Sequence, residues 1–405
     1  MILGVIADDV TGATDVASVL IRHGCRVVQT FDVPGSTPPA ADAIVVSTKI
    51  RTAPLDEALA TVDAALDFLL EQGADQIFYK YCSTFDSTPR GNIGPVIDHL
   101  LARLETDVTV ACPSYPALAR TVYQGHLFVG DRLLSDSSMR DHPLTPMHDS
   151  DLVRVLGVQA RASVGLAPLA MVEAGEQALQ EGFAALGRQV AIVDAIDDRH
   201  ISTVARACRA MPLVTGGAAL GGALGGLRMG DNRAAQAERH ATPGPAAMLS
   251  GSCSAMTLKQ VAQMAGKVPS RAIDPLSADV EGIVSWALEQ AAHGDFLIYS
   301  SADPAIVAQA QATLGRDEAA ARIETLFACL AEALAKAGVR RFIVAGGETS
   351  GAVTRALKVR MMSFGPDIAP GVPVTYTQEP QGYALALKSG NFGDPDFFQL
   401  AREMV

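Results

Sequence analysis

Two patterns alternate along the chain: short unbroken apolar runs, and longer stretches in which apolar residues recur every three or four positions. The first run, 2–7, predicts a buried strand. Ala13, Val16, Ala17 and Leu20 then fall on one face of a helix over 11–23. Strands are predicted at 26–31, 43–47, 76–81 and 108–112, with helices near 55–71 and 93–104. Segment 113–150, rich in Pro, Gly and Ser, reads as elaborated loop with a short hairpin. Two more strand–helix units follow, with strands at 190–193 and 212–215. The polar, small-residue stretch 228–245 reads as a connection between domains. Beyond it, strands are expected at 247–250, 296–299 and 342–345, and helices at 256–265 and 319–337. In the second helix Ile323, Leu326, Phe327, Leu330 and Leu334 form the stripe and Gly338 the stop. A terminal hairpin is expected from 374–378 and 383–388.

Strands alternating with helices predict an α/β fold of two domains, each a mainly parallel sheet flanked by helices, with the active site in the cleft between them. The boundaries read 1–230, 246–405, and a linker over 231–245. At 405 residues, 49% apolar and 19% charged, the chain has material for sizeable cores and no disorder signature. Its net charge of -12 repels polyanions, which argues against nucleic acid. The six cysteines are scattered without CxxC or zinc spacing, as expected of reduced thiols in a cytoplasmic protein. The run 2–7 lacks a basic leader and stops at Asp8 and Asp9, so no export signal is expected. The uncharged stretch 210–227 is broken by Pro212 and three Gly-Gly pairs, so no membrane span is expected. Oligomeric state leaves no trace here, and a homo-oligomer is compatible with the sequence.

Three segments carry candidate chemistry. In IADDVTGATD (6–15) a strand stops at two acids, Asp8 and Asp9, and a helix opens through Thr11 and Gly12. Ligands of open α/β sheets bind at carboxyl strand ends, and helix starts offer free N–H groups to anions. A helix cap accounts for one acid; adjacent acids plus Asp15 ask for more. In KYCSTFDSTPRGNIG (80–94), Lys80 ends a strand that should be apolar, so it needs an anionic partner from protein or ligand. Ser83, Thr84 and Asp86 then offer hydroxyls and a carboxylate suited to a small polyhydroxylated acid. The plainer account is a polar turn bonding its own backbone. Arg51, in STKIRT, is either a second cation for the same crevice or a surface arginine.

In the second half, GSCS (251–254) and AGGETSG (345–351) each follow a strand and precede a helix, and KSGNFG (388–393) adds a cation. Three such turns point to a polyphosphate site. No GxxxxGK[ST] or GxGxxG is present, so P-loop and dinucleotide fingerprints are both missing. The glycine run 216–226 fits close helix packing at least as well as phosphate binding. The eight histidines lack ligand spacing and no G-x-S-x-G occurs, against metallohydrolase or serine hydrolase chemistry. His142 and His148 flank HPLTPMH, read as loop anchoring.

Together, IADDVTGATD, STKIRT, KYCSTFDSTPRGNIGP, HPLTPM, GGETSGAV, FGP and LKSGNFG resemble the four-carbon acid sugar kinases, formerly a domain of unknown function. The likeness spans nearly the whole chain, and KYCSTFDST is most like the 3-oxo-tetronate kinase branch rather than the threonate or erythronate kinases. Val10 and Ile50 depart mildly from the pattern. The resemblance implies an N-terminal acid-binding domain, a C-terminal ATP-binding domain, and phosphoryl transfer to the terminal hydroxyl of a four-carbon acid sugar, with Mg²⁺ accompanying ATP. Asp8 or Asp9 is expected to take or orient the hydroxyl proton. Thr11, Asp15, Arg51, Lys80, Ser83, Thr84 and Asp86 are expected on the acid. Ser252, Ser254, Gly346, Gly347, Glu348, Thr349, Lys388 and Gly390 are expected to line the ATP site, Glu348 being the candidate metal contact. The competing classes are a nicotinamide-dependent reductase, which lacks its fingerprint, and a non-catalytic sugar-acid binding protein, which needs no phosphate turns.

Overall fold

A computed structural model describes residues 2–35, 37–141, 145–185, 189–230, 240–274, 279–300, 316–369, 372–377, 382–388 and 392–405. The chain divides into two compact units, Met1–Ala235 and Gln236–Val405.

The first unit begins β1 (Ile2–Ala7), α1 (Val10–Arg22), β2 (Val27–Phe31), β3 (Ala43–Ser47), α2 (Leu55–Glu71), β4 (Ala74–Lys80), α3 (Ile93–Arg103) and β5 (Val108–Cys112). Three short strands follow, β6 (Arg120–Tyr123), β7 (His126–Val129) and β8 (Arg132–Leu133), paired antiparallel in a small separate sheet. They occupy the region expected to hold a hairpin. Then come α4 (Leu152–Gly157), β9 (Ser163–Ala167), α5 (Leu169–Glu173), α6 (Glu176–Ala185), β10 (Gln189–Val193), α7 (Asp198–Cys208), β11 (Leu213–Gly216) and α8 (Ala218–Met229). The main sheet is parallel, in the order β2-β3-β1-β4-β11-β5-β10-β9. From β1 the chain moves two places one way to β2, returns to β3, then crosses to β4 on the other side of β1. The carboxyl ends of β1 and β4 therefore flank a topological switch point, where open α/β sheets form their crevice. Strand β1 is buried on both faces, which is why it reads as a continuous apolar run, and β4 is buried except at Asp75.

The glycine run resolves as helix packing. Helix α8 lies against α1, and a Cβ on Gly222 would stand 2.2 Å from Val19 Cγ1, one on Gly225 2.3 Å from Leu20 Cδ2. Bare backbone on α8 lets the two axes approach. The strand β9 was not expected, because the half-buried SVGLA is weakly patterned.

The second unit runs β12 (Ala246–Ser250), α9 (Ala255–Ala265), β13 (Ser270–Ala272), α10 (Val280–Ala291), β14 (Phe296–Tyr299), α11 (Arg316–Lys336), β15 (Arg341–Ala345), α12 (Gly347–Ala356), β16 (Met361–Ala369), β17 (Val372–Thr377), β18 (Ala384–Lys388) and α13 (Phe397–Met404). Its strand order is β13-β14-β12-β15-β18-β17-β16, parallel through β18, with β17 antiparallel to both its neighbours. The leading four strands repeat the arrangement of the first unit, so β12 and β15 flank a second switch point. The expected terminal hairpin is present as β17–β18. Its partner β16 went unread because Gly365, Pro366 and Asp367 interrupt MMSFGPDIA, and the pairing shifts register there. Among the described residues no helix is long and apolar enough to cross a membrane.

Candidate active site

At the first switch point the main chain already fixes the ligands of the crevice. The Asp8 amide donates to the Lys80 carbonyl at 3.0 Å, and the Asp8 carbonyl accepts from the amides of Ile50 and Arg51. Three strand ends, those of β1, β3 and β4, are thereby tied at one point. Asp8 is 1% exposed and receives the Arg51 guanidinium through two bonds, Nε to Oδ2 at 2.8 Å and Nη2 to Oδ1 at 2.9 Å. The remaining nitrogen, Nη1, lies 3.0 Å from Asp9 Oδ2 and 3.7 Å from Asp86 Oδ2.

Asp9 caps α1: its Oδ1 accepts from the Gly12 amide at 2.6 Å. A Cβ on residue 12 would meet that oxygen at 2.6 Å and Lys80 Nζ at 3.2 Å, so glycine keeps acid, amide and amine together. Lys80 is buried, donates to the Tyr81 carbonyl at 2.9 Å, and faces Asp15 Oδ2 at 3.8 Å. Four carboxylates (Asp8, Asp9, Asp15 and Asp86) thus surround two cations, Arg51 and Lys80. Burial pushes the Asp8 carboxyl above its ordinary range, against the pull of Arg51, and raises Asp15 against the pull of Lys80 and Arg22. Burial alone would lower the Arg51 guanidinium; its bonds to Asp8 more than reverse this.

The loop after Lys80 joins the cluster through hydroxyl and thiol. Thr84 Oγ1 donates to Asp86 Oδ1 at 2.5 Å and contacts Cys82 Sγ at 2.9 Å. Between them Phe85, fully buried, adopts φ +52, a left-handed conformation that costs about 1–3 kcal/mol and persists where packing over-determines it. Its ring packs edge-on to Tyr81 at 5.3 Å. Ser83 is half-buried beside Thr84, and Thr11 is exposed on the first turn of α1, both outside the ion-paired set.

Sequence reasoning missed Asn92. Standing before α3, it looks like a cap, yet its side chain makes no capping bond. Its Nδ2 instead donates to the carbonyls of Ile50 at 2.6 Å and Ala53 at 2.9 Å, pinning the loop that delivers Arg51. Thr48 does similar work, donating to the Ala7 carbonyl at 2.6 Å.

At the second switch point the amides of Gly251 and Ser252 both donate to the Ala345 carbonyl, at 2.9 and 3.2 Å, holding the two glycine turns side by side. Ser254 caps α9 by accepting from the Thr257 amide, while Ser252 Oγ accepts from the Ser254 amide. Gly346 sits at φ +126, which side chains rarely adopt, and its amide donates to the Lys388 carbonyl. Thr349 is buried beneath: a Cβ on Gly251 would fall 2.1 Å from its Oγ1. Gly347 and Glu348 are exposed at the N-terminus of α12. Lys388, 2% exposed at the end of β18, donates to Thr257 Oγ1 at 3.0 Å and lies 5.7 Å from the Phe397 ring centre; burial pushes its amine down to about 8. Gly390 lies outside the described residues. The unexpected contributor is Gln260, whose Nε2 donates to the carbonyls of Phe392, Gly393 and Asp394. A glutamine inside an apolar stripe gives no such hint in sequence. No group of three or more His, Cys, Asp and Glu side chains among the described residues is arranged to hold a metal by itself.

Comparison with known proteins matches residues 3–224 to a sugar-binding N-terminal domain and 247–398 to a nucleotide-binding C-terminal domain. The chain is 49% identical to a 3-oxo-tetronate kinase of Cupriavidus necator, over 99% of this chain and 96% of that protein. It is 44% identical to one of Salmonella typhimurium, over 98% and 97%. A solved Haemophilus influenzae protein of the DUF1537 family superposes with a TM-score of 0.92 at 42% identity, covering 99% of each chain. A second, from Salmonella typhimurium, gives 0.91 at 43% over the full length of both. An acid- and hydroxyl-bearing crevice in one unit and paired glycine turns in the other are what a sugar-binding and a nucleotide-binding half require, and the chain belongs to the four-carbon acid sugar kinase family, as a kinase acting on a small molecule.

Proposed function

We propose that the chain is an ATP-dependent kinase that phosphorylates the terminal, C4 hydroxyl of 3-oxo-tetronate, giving the 4-phosphate. The observation that carries this is identity of 44–49% over nearly the whole chain to proteins named 3-oxo-tetronate kinase. Residues 1–230 would bind the acid and 246–405 the ATP, joined through 231–245. Six free thiols, three of them buried, support a cytoplasmic setting, where ATP is supplied.

Phosphoryl transfer asks for positioning and charge neutralisation more than covalent chemistry. Asp9 is our choice for the group that orients the attacking hydroxyl and takes its proton. Its side chain is 28% exposed and aimed by the Gly12 amide, whereas Asp8 is sealed behind Arg51. Asp8 serves as the fixed counter-charge that aims Arg51. The free N–H positions of Arg51, with Lys80, hold the substrate carboxylate, while Thr11, Asp15, Ser83, Thr84 and Asp86 read its oxygens. In the second unit, Ser252, Ser254, Gly346, Gly347 and Thr349 cradle the phosphates with Lys388 behind them. Magnesium, when bound, supplies charge neutralisation on the phosphates; Glu348 and water fit its preference for few protein ligands.

The test is ADP release from ATP with 3-oxo-tetronate, D-threonate, D-erythronate and longer acids. The 3-oxo acid should be turned over with the highest kcat/KM. No release above background with any acid defeats the kinase reading, and preference for threonate or erythronate moves the substrate.

A further inference from the structure

Helix α3 opens without the cap that its own sequence offers. A capping side chain accepts from the amide of the second or third helical residue. In α3 the third is Pro95, which has no amide, so Gly94 carries the one donor of that kind. Asn92 leaves it untouched, having turned to the carbonyls of Ile50 and Ala53. The place of the cap is taken from a distant part of the chain. Gln159, half-buried just beyond α4, accepts the Gly94 amide on its Oε1 at 3.2 Å.

The same side chain holds the loop that leads into the helix. Its Oε1 also accepts from Ser87 Oγ at 3.1 Å, and its Nε2 donates to the Thr88 carbonyl at 2.8 Å. Ser87 is buried and directly follows Asp86, whose Oδ2 faces Arg51 Nη1. The loop is shaped to this contact. A Cβ on Gly91 would fall 1.9 Å from Ser87 Oγ, and one on Gly94 2.6 Å from the Gln159 Cβ. Gln159 itself stands on fixed backbone: its amide and that of Ala160 donate to the Leu156 carbonyl, and the amides of Arg161 and Ala162 donate to Asp98 on α3. One primary amide does all this because it carries a donor group and an oxygen with two lone pairs.

We infer that Gln159 is a positioning residue for the acid sugar, acting on both sides of the crevice without touching the substrate. Through Ser87 it sets where Asp86 and its partner Thr84 stand. By capping α3 it releases Asn92 to brace the loop that delivers Arg51. Without Gln159 the Gly94 amide lacks its acceptor and Asn92 is drawn back towards it, so the two walls of the crevice loosen together. The inference rests on the acid-binding reading of the first unit and adds what holds that crevice in shape.

The test is ADP release by the full chain, with the acid that the wild type turns over best and with ATP varied in turn. Gln159→Met keeps the bulk and removes all three bonds; it should raise the KM for the acid about fivefold or more while the KM for ATP stays within about twofold. Gln159→Glu keeps both accepting bonds and should hold the acid KM within about twofold of wild type. An unchanged acid KM in Gln159→Met overturns the inference, as does an equal rise in both KM values, which a general loss of stability would produce. A Glu variant as impaired as the Met variant removes the capping role. Should Gln159→Met not fold, Ser87→Ala, which deletes the single bond beside Asp86, decides on the same readout: a rise in acid KM alone supports the inference and no rise overturns it. A wild type that turns over no acid defeats the kinase reading itself, an outcome distinct from the others.

Discussion

Arg51 grips Asp8 through two parallel hydrogen bonds, 2.8 Å from Nε and 2.9 Å from Nη2, with the carboxylate 1% exposed and the guanidinium only partly covered. The pair joins the loop after β3 to the end of β1, and through Nη1 it also fixes Asp9. Removing the arginine strands a buried carboxylate, which costs about 3–5 kcal/mol. Arg51→Ala should lose stability of that order in urea unfolding at pH 7. The sign with pH follows from the raised Asp8 carboxyl: the folded state holds its proton to higher pH than the unfolded chain, so the deficit should shrink as pH falls through the folded value. A deficit independent of pH would remove Asp8 as its source. Arg51→Lys should recover part of the stability but little turnover, because an ammonium cannot bridge Asp8 and Asp9 together.

Asp9 is exposed enough to meet a substrate and held at one oxygen by the Gly12 amide. Asp9→Asn should cut kcat roughly 10²–10⁴-fold in an ADP-release assay, with calorimetric ATP affinity unchanged. If neither this variant nor Asp8→Asn slows turnover, the proton-accepting role belongs elsewhere.

The approach of α8 to α1 leaves no space at residue 222, where a Cβ would stand 2.2 Å from Val19. Alanine is the better helix former by up to about 1 kcal/mol, but overpacking costs about 1–3 kcal/mol. Gly222→Ala should therefore lower the melting temperature. Because Asp9 caps α1, kcat should fall as well; a higher melting temperature would contradict the packing.

Burial pushes Lys388 down to about 8, against an ordinary lysine near 10.4 in the unfolded chain. Between these values the unfolded state binds the extra proton, so wild-type stability should rise with pH relative to Lys388→Met. Urea unfolding at pH 7 and pH 10 measures the difference. A gap of equal size at both pH values would refute a burial-depressed amine.

Gln260 ties α9 to the carbonyls of Phe392, Gly393 and Asp394. Gln260→Ala should raise the KM for ATP severalfold while the KM for the acid stays constant. An equal rise in both would make the residue a general stabiliser instead.

Local sequence determined which segments become strands, helices and turns. Apolar runs of five or six residues and the 3.6-residue stripe on α11 are periodicities a reader can count, and GSCS, AGGETSG and IADDVTGATD declare their helix starts through glycine, serine and acid. The chain alone also placed Asp8, Asp9 and Lys80 at strand ends. Tertiary structure decided what those residues do to one another. Strand order put β1 beside β4 and β12 beside β15, so that Asp8 meets Lys80 and Gly251 meets Thr349 across long stretches of sequence. It turned Arg51 into the partner of three carboxylates, made Asn92 a brace instead of a cap, and committed the glycines of α8 to helix packing. The physical reason is range. Backbone propensity and hydrophobic period act within a turn or two of chain, whereas ion pairing, burial and close packing depend on which distant segments the sheet order sets side by side.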